Sequence, residues 1–137
     1  MVNKNEESFG KKYKCCSKKL INLLFEKKQH IKAFPFIVYH LKDDFSFKAP
    51  FQIVLSVPKK IHKKAHDRNR IKRVLREVIR KNKGILESEL LKSEKKLVLF
   101  LIYTAREELK YVILNDKIKS LFTLIINENT VHESNQN

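Results

Sequence analysis

Residues 65–83, AHDRNRIKRVLREVIRKNK, decide how the rest of the chain is read. A strongly basic run is commonly a solvated tail, but here apolar residues recur at helical spacing. With each residue advancing about 100° around a helix, Ile71, Val74, Leu75, Val78 and Ile79 fall within one arc of roughly 140°, a stripe that belongs against a core. Asn69, Arg73, Arg76 and Arg80 fall on the opposite side at spacings of four, three and four, and Arg70 and Lys72 flank them. One helix therefore buries one side and presents a fixed row of cations on the other. Guanidinium forks match phosphate oxygens bidentately, and a helix fixes the spacing between forks.

The approach to this helix is basic as well. Lys59, Lys60, Lys63 and Lys64 precede it, and a helix N-terminus itself favours anions. A solvated, salt-bridged face would interleave acids with bases. Residues 59–83 instead hold twelve Lys or Arg against two acids, Asp67 and Glu77. The imbalance favours a polyanionic partner.

The composition of the whole chain agrees. Its 137 residues suit one domain, 42% hydrophobic content suits a packed core, and the formal net charge is +15. Such a charge repels itself and attracts polyanions, nucleic acid first and an anionic membrane surface second. The longest apolar run, Leu97 to Tyr103, is too short to span a bilayer. The opening residues MVNKNEESFGKKYK hold no apolar stretch resembling a signal peptide, so a cytoplasmic location is expected. Cys15 and Cys16 are adjacent and suggest no disulfide framework; they read as reduced core or surface thiols.

Working outward, Ser17 is placed to cap a first helix carrying Leu20, Ile21, Leu24 and Phe25 at helical spacing. AFPFIVYHL, residues 33–41, reads as a strand with Phe36, Val38 and His40 on one face and Ile37, Tyr39 and Leu41 on the other. KDDFSFKAP is a connecting loop. FQIVLSV, residues 51–57, is the clearest strand, with Phe51, Ile53, Leu55 and Val57 facing one way and Pro58 ending it. After the basic helix, Gly84 reads as a helix stop within a mixed connector. KLVLFLIYT, residues 96–104, is apolar on both faces and belongs in the centre of a sheet. The last helix is expected to start near Asp116 and to face Ile118, Leu121, Phe122 and Ile125 inward, with Tyr103 also in the core. Residues 1–12 and 128–137 are polar and expected to be mobile. The order of elements predicts a small α+β sandwich.

The segment RNRIKRVLRE, residues 68–77, starts the helix with Arg-Asn-Arg, and VPKK, residues 57–60, follows a strand. Together they resemble the bacterial ribonuclease P protein component, and the first helix, the strands and the long basic loop fall in that family's order. The resemblance implies a single domain, residues 13–127, of order αβββαβα, with a small mixed sheet packed by helices. It adds a short strand near residues 31–34 and a left-handed crossover through the basic helix, against the usual right-handed rule.

The resemblance also implies function. The partner is a large catalytic RNA, and the complex removes the 5′ leader of precursor tRNA by Mg²⁺-dependent hydrolysis. The Mg²⁺ is held mainly by the RNA, and no catalytic residue is expected on the protein, which is otherwise monomeric. Arg68, Asn69, Arg70, Lys72, Arg73 and Arg76 correspond to the RNA-binding motif, and Lys59 and Lys60 to the basic residues after the strand. Lys63, Lys64 and Arg80 extend the same basic surface. Phe25 and Tyr39 correspond to aromatic positions of a leader-binding cleft between the first helix and the sheet; Ile21 stands there where many relatives carry a second Phe. Pattern alone leaves Phe25 and Tyr39 open as core residues or as platforms for bases. The Gly-Asn-Ala-Val segment usual before the motif reads HKKAHD here.

Other chemistries find little support. A protein nuclease needs clustered carboxylates to hold Mg²⁺, and neither Asp43–Asp44 nor Glu87 with Glu89 comes with a motif. Structural zinc favours Cys-x2–4-Cys spacing, which is absent; His62 and His66 are expected at solvent or on phosphate. A membrane-lying helix would want Trp or Phe on its apolar arc. The alternative to a ribonuclease P subunit is a structural RNA-binding protein of ribosome or ribonucleoprotein assembly.

Overall fold

A period of two puts Phe36, Val38 and His40 on one face of one strand and Phe51, Ile53 and Leu55 on one face of another, and both sets turn toward the main core. The computed structural model describes residues 11–15 and 17–135, with side chains through residue 127. Of the ends expected to be mobile, residues 1–10, 136 and 137 lie outside the described residues, as does Cys16, whereas residues 11–12 fall in a 3₁₀ turn and residues 128–135 continue the last helix. Strands β1 (His30–Ala33), β2 (Phe36–Asp43), β3 (Phe51–Ser56) and β4 (Lys96–Tyr103) form one mixed sheet in the order β1-β2-β4-β3. β1–β2 and β2–β4 are antiparallel, with Tyr39 opposite Phe100; β3 and β4 are parallel, with Val54 opposite Phe100. The strand apolar on both faces, β4, is central as expected. The short strand implied by the resemblance is β1.

Parallel neighbours need a crossover, and α2 (Ala65–Ser93) supplies it between β3 and β4. With α3 (Tyr111–Asn135) it covers the sheet face carrying Phe36, Val38, Phe51, Ile53, Leu99 and Leu101. The opposite face, carrying Tyr39, Val54, Val98 and Phe100, is partly covered by α1 (Lys18–Lys27), whose Leu24 is buried there. Ser17 caps α1 as expected, its Oγ accepting from the Leu20 N–H at 3.3 Å. The element order is αβββαβα, preceded by a 3₁₀ turn, Lys11–Tyr13. Among the described residues no helix is long and apolar enough to cross a membrane.

The basic helix is rotated as its pattern requires: Ile71, Leu75, Val78 and Ile79 are buried. Val74, at the edge of the stripe, is only half-buried. Gly84 is not a helix stop. α2 runs on to Ser93 and ends at Glu94 in the left-handed region, φ 59°. Leu86 and Leu90, two and six residues beyond Gly84, continue the buried stripe, and burying two Leu side chains at ~1.5–3 kcal/mol each outweighs the ~1 kcal/mol that glycine costs a helix. An added Cβ at Gly84 meets nothing within 4 Å. Gly84→Ala is therefore expected to stabilise the fold by ~0.5–1 kcal/mol, read as a higher denaturant midpoint with an unchanged slope.

α3 likewise starts earlier than Asp116, at Tyr111, because Leu114 is buried in line with Ile118, Leu121, Phe122 and Ile125. Asn82 Nδ2 donates to Asn115 Oδ1 at 2.7 Å and to Val78 O at 2.8 Å, tying α2 to α3.

Candidate nucleic-acid interface

The start of α2 is built without a side-chain cap; Lys64 is the N-cap residue, in extended backbone. Arg68 takes up the slack. Its Nη1 donates to the carbonyls of His62 and Lys63 at 3.0 and 2.9 Å, folding the basic loop onto the first turn. His62 is not at solvent, contrary to expectation. It is buried, and its Nε2–H donates to Ala105 O at 2.8 Å, which fixes the loop from the other side. His66 is exposed, 3.2 Å from Arg70 Nη1.

Arg70 is also engaged within the protein. Its Nη2 meets Asp67 Oδ1 at 2.8 Å and Glu108 Oε1 at 2.7 Å, and its Nε lies 3.1 Å from both Glu108 oxygens. The Glu108 hydrogen bond, above all, raises the pKa of the guanidinium. Glu108 is held in place because Tyr103, under the loop, donates to Glu107 O and accepts from the Leu109 N–H. Burial pushes the Tyr103 phenol up. Arg80 pairs with Glu77 at 2.7 and 3.0 Å, which pulls the Glu77 carboxyl down.

The remaining cations are different. Lys59, Lys60, Lys63, Lys64, Arg73 and Arg76 are exposed and Lys72 is half-buried. Among the described residues none of these side chains is hydrogen-bonded or ion-paired, and neither is that of the exposed Asn69. The predicted row thus divides. Arg68 and Arg70 shape the helix entry, Arg80 is paired, and Lys72, Arg73 and Arg76 have no hydrogen-bond or ion-pair partner among the described residues.

The aromatic residues expected in a cleft do come together. Phe25 projects from the last turn of α1, with its ring centroid 4.8 Å from Tyr39 and 4.9 Å from Phe100. His30 lies 5.2 Å from Tyr39 on its other side. Phe25 remains 39% exposed, so it both packs on the sheet and shows ring surface to solvent. Ile21 is half-buried in the same cluster and contributes apolar surface without a ring. Phe100 and His30 were missed by sequence reading. Phe100 sits inside a strand apolar on both faces, where alternation does not say which face is open. Cys15 is buried. Among the described residues no three His, Cys, Asp or Glu side chains gather as metal ligands.

Comparison with known proteins bears on this arrangement. The family model described as Ribonuclease P matches residues 9–125. The ribonuclease P protein of Thermotoga maritima superposes with a TM-score of 0.63 at 20% identity, covering 80% of this chain and 94% of that one. The Staphylococcus aureus ribonuclease P protein superposes with a TM-score of 0.59 at 18% identity, covering 82% and 94%. At such identities the two structures speak for the fold alone. No curated protein sequence matches significantly.

Proposed function

The chain belongs to the ribonuclease P protein family, whose model spans residues 9–125, and from that premise we propose that it is the cytoplasmic protein subunit that docks on the catalytic ribonuclease P RNA and holds the 5′ leader of precursor tRNA. The observation that carries the reading is the row Lys72, Arg73 and Arg76, which has no acid partner among the described residues on a helix whose other Arg side chains are satisfied internally.

The mechanism is positional. The helix brings its free cations to RNA phosphates at fixed spacing, with each contact neutralising charge and releasing counterions. Arg68, Arg70 and Asp67 keep the basic loop in register with that row. Unpaired leader bases stack on the exposed ring of Phe25 and on Tyr39, which suits recognition of single-stranded RNA with little sequence demand. Mg²⁺, which we assign to the RNA partner, would supply the hydrolytic chemistry when bound there.

The test is reconstitution. Precursor tRNA is incubated at low Mg²⁺ with the protein, with the cognate catalytic RNA, or with both. Cleavage that requires both, or is strongly raised by both, supports the reading. Cleavage by protein alone points to a nuclease, and no effect points to a structural RNA-binding protein. In the same assay Phe25→Ala is expected to lose ~1–3 kcal/mol of affinity for leader-bearing RNA, with mature tRNA little affected. A fully buried Phe would cost ~3–5 kcal/mol of stability on truncation; a ring with this exposure should cost clearly less. A large drop in Tm, or equal losses for both RNAs, would return Phe25 to a purely structural role.

A further inference from the structure

The turn between β1 and β2 carries a large apolar ring into solvent. Phe34 is 67% exposed, the most exposed aromatic side chain among the described residues. Ala33 pairs with Phe36, so Phe34 and Pro35 form a two-residue connection. Such a turn favours Gly, Asn or Asp, and a ring left in water adds nothing to the stability of the fold. The turn is nevertheless held firmly. Pro35 is buried, and its carbonyl accepts from the Thr104 N–H at 2.8 Å and from the Thr104 hydroxyl at 3.0 Å. The ring therefore stands on fixed backbone, and covering it costs little ordering.

Beside it lies an open hollow of about 450 Å³, lined by Phe34, Thr104, Ala105, Arg106, Glu107 and Leu109. Arg106 and Glu107 are both exposed, so the rim carries one charge of each sign. A phosphate gains little from such a balance. A flat uncharged group gains more: the ring offers a face to stack on, and the two side chains offer donors and acceptors for its edge.

The hollow adjoins the basic loop and does not include Phe25 or Tyr39. Phe36 lies opposite Tyr103 and Ser56 opposite Ile102, so the β1–β2 turn, the end of β4 and the start of the loop at residue 57 share one end of the sheet. His62 of that loop is bonded to Ala105 O at 2.8 Å, and Leu109 also lines the cleft that holds Arg70. The exposed Lys59, Lys60, Lys63 and Lys64 lie on the same loop. An RNA whose phosphates meet these lysines presents its neighbouring bases at this end of the sheet.

We propose that Phe34 stacks on an unpaired base of the catalytic RNA, with Arg106 and Glu107 at the edge of that base. The proposal rests on the reading above only in taking that RNA as the ligand.

The chain contains no Trp, so Phe34→Trp gives the full-length protein a single indole, placed in the turn. Titration of this variant with the catalytic RNA should quench the indole emission, and high salt should restore it. Affinity for the same RNA should fall about tenfold in Phe34→Ala, the scale of one stacked base. It should fall as far in Phe34→Leu, which keeps apolar bulk without a π face, and should be retained in Phe34→Trp. The salt slope should be the wild-type one in all three, because no phosphate contact is removed, and all three should melt with the wild type. Indole emission unmoved by bound RNA, Phe34→Leu binding as tightly as wild type, or unchanged affinity in Phe34→Ala would overturn the stacking assignment and leave the ring to a protein partner. Reconstituted tRNA processing separates this site from the reading beneath it. RNA-dependent cleavage by the wild type beside an unquenched indole removes the Phe34 site alone. A quenched indole with no gain in cleavage removes the ribonuclease P reading and leaves the site standing. A wild-type chain that does not bind the catalytic RNA removes both.

Discussion

Val78→Asp is expected to abolish cooperative folding. Val78 is fully buried, 0% exposed, in the stripe that seats α2 between the sheet and α3. The substitution forfeits the ~1.5–3 kcal/mol gained by burying an aliphatic side chain. It also buries a carboxylate with no basic partner designed for it, at a cost of several kcal/mol. Together these approach the ~5–15 kcal/mol that holds an ordinary domain together. Far-UV circular dichroism and thermal melting read the outcome directly: loss of helix signal or of a sharp transition is the expected result. A Val78→Asp chain that melts cooperatively near the wild-type temperature would mean that α2 is rotated from the arrangement described. Val74 offers a graded comparison. It is half-buried beside Arg70 in the cleft that also holds Glu108, so an aspartate there can reach solvent and a neighbouring guanidinium, and Val74→Asp should cost less.

The sheet and the rotation of α2 were legible in the sequence because they follow from local periodicity. Phe36, Val38 and His40 alternate with Ile37, Tyr39 and Leu41, and a period of two fixes which residues share a face. The basic helix shows its stripe in the same way. Helix ends were less legible. Gly84 is a real local preference, yet Leu86 and Leu90 beyond it are buried by tertiary contact, and the larger energy decides. Tyr111 precedes the expected start of α3 for the same reason, through Leu114.

What the basic residues do was only half legible. A count of charges cannot tell a guanidinium that meets solvent from one that meets Glu108, which lies thirty-eight residues away from Arg70. Nor can it foresee that the acceptors of Arg68 are loop carbonyls. His62 was placed at solvent because its partner, Ala105 O, is equally remote in sequence. Lys11 and Lys14 fell within or beside a segment expected to be mobile. Their position depends on a parallel bridge from Lys14 to Ile53 of β3 and on the Tyr13 hydroxyl, which donates to Glu87 of α2, neither of which leaves a local pattern.

That division makes the second prediction sharper than a row of equivalent cations would allow. Arg73→Ala/Arg76→Ala should weaken binding to the catalytic RNA strongly and leave folding intact. Both side chains are exposed and engage no described residue, so the melting transition has nothing to lose. Each charge-assisted contact to phosphate is worth ~1.5–3 kcal/mol. The two sit one turn apart, so their effects need not add, but the pair should cost at least the upper single value, ~3 kcal/mol or about a hundredfold in Kd. The salt slope should become shallower by ~1.4–1.8 if both contact phosphate. Arg70→Ala should behave differently. It releases Glu108 and Asp67 from their shared partner, so its effect on RNA binding enters through the geometry of the loop and the local acid balance. Glu108→Gln, which weakens the same tie while keeping Arg70, should then disturb the β4–α3 loop as Arg70→Ala does, in amide exchange of residues 106–110. If Arg70→Ala instead gives the full slope change with no change in that loop, Arg70 leaves Glu108 for phosphate in the complex. If Arg73→Ala/Arg76→Ala leaves both affinity and slope unchanged, the exposed row is a solvated surface and the docking face lies elsewhere on the protein.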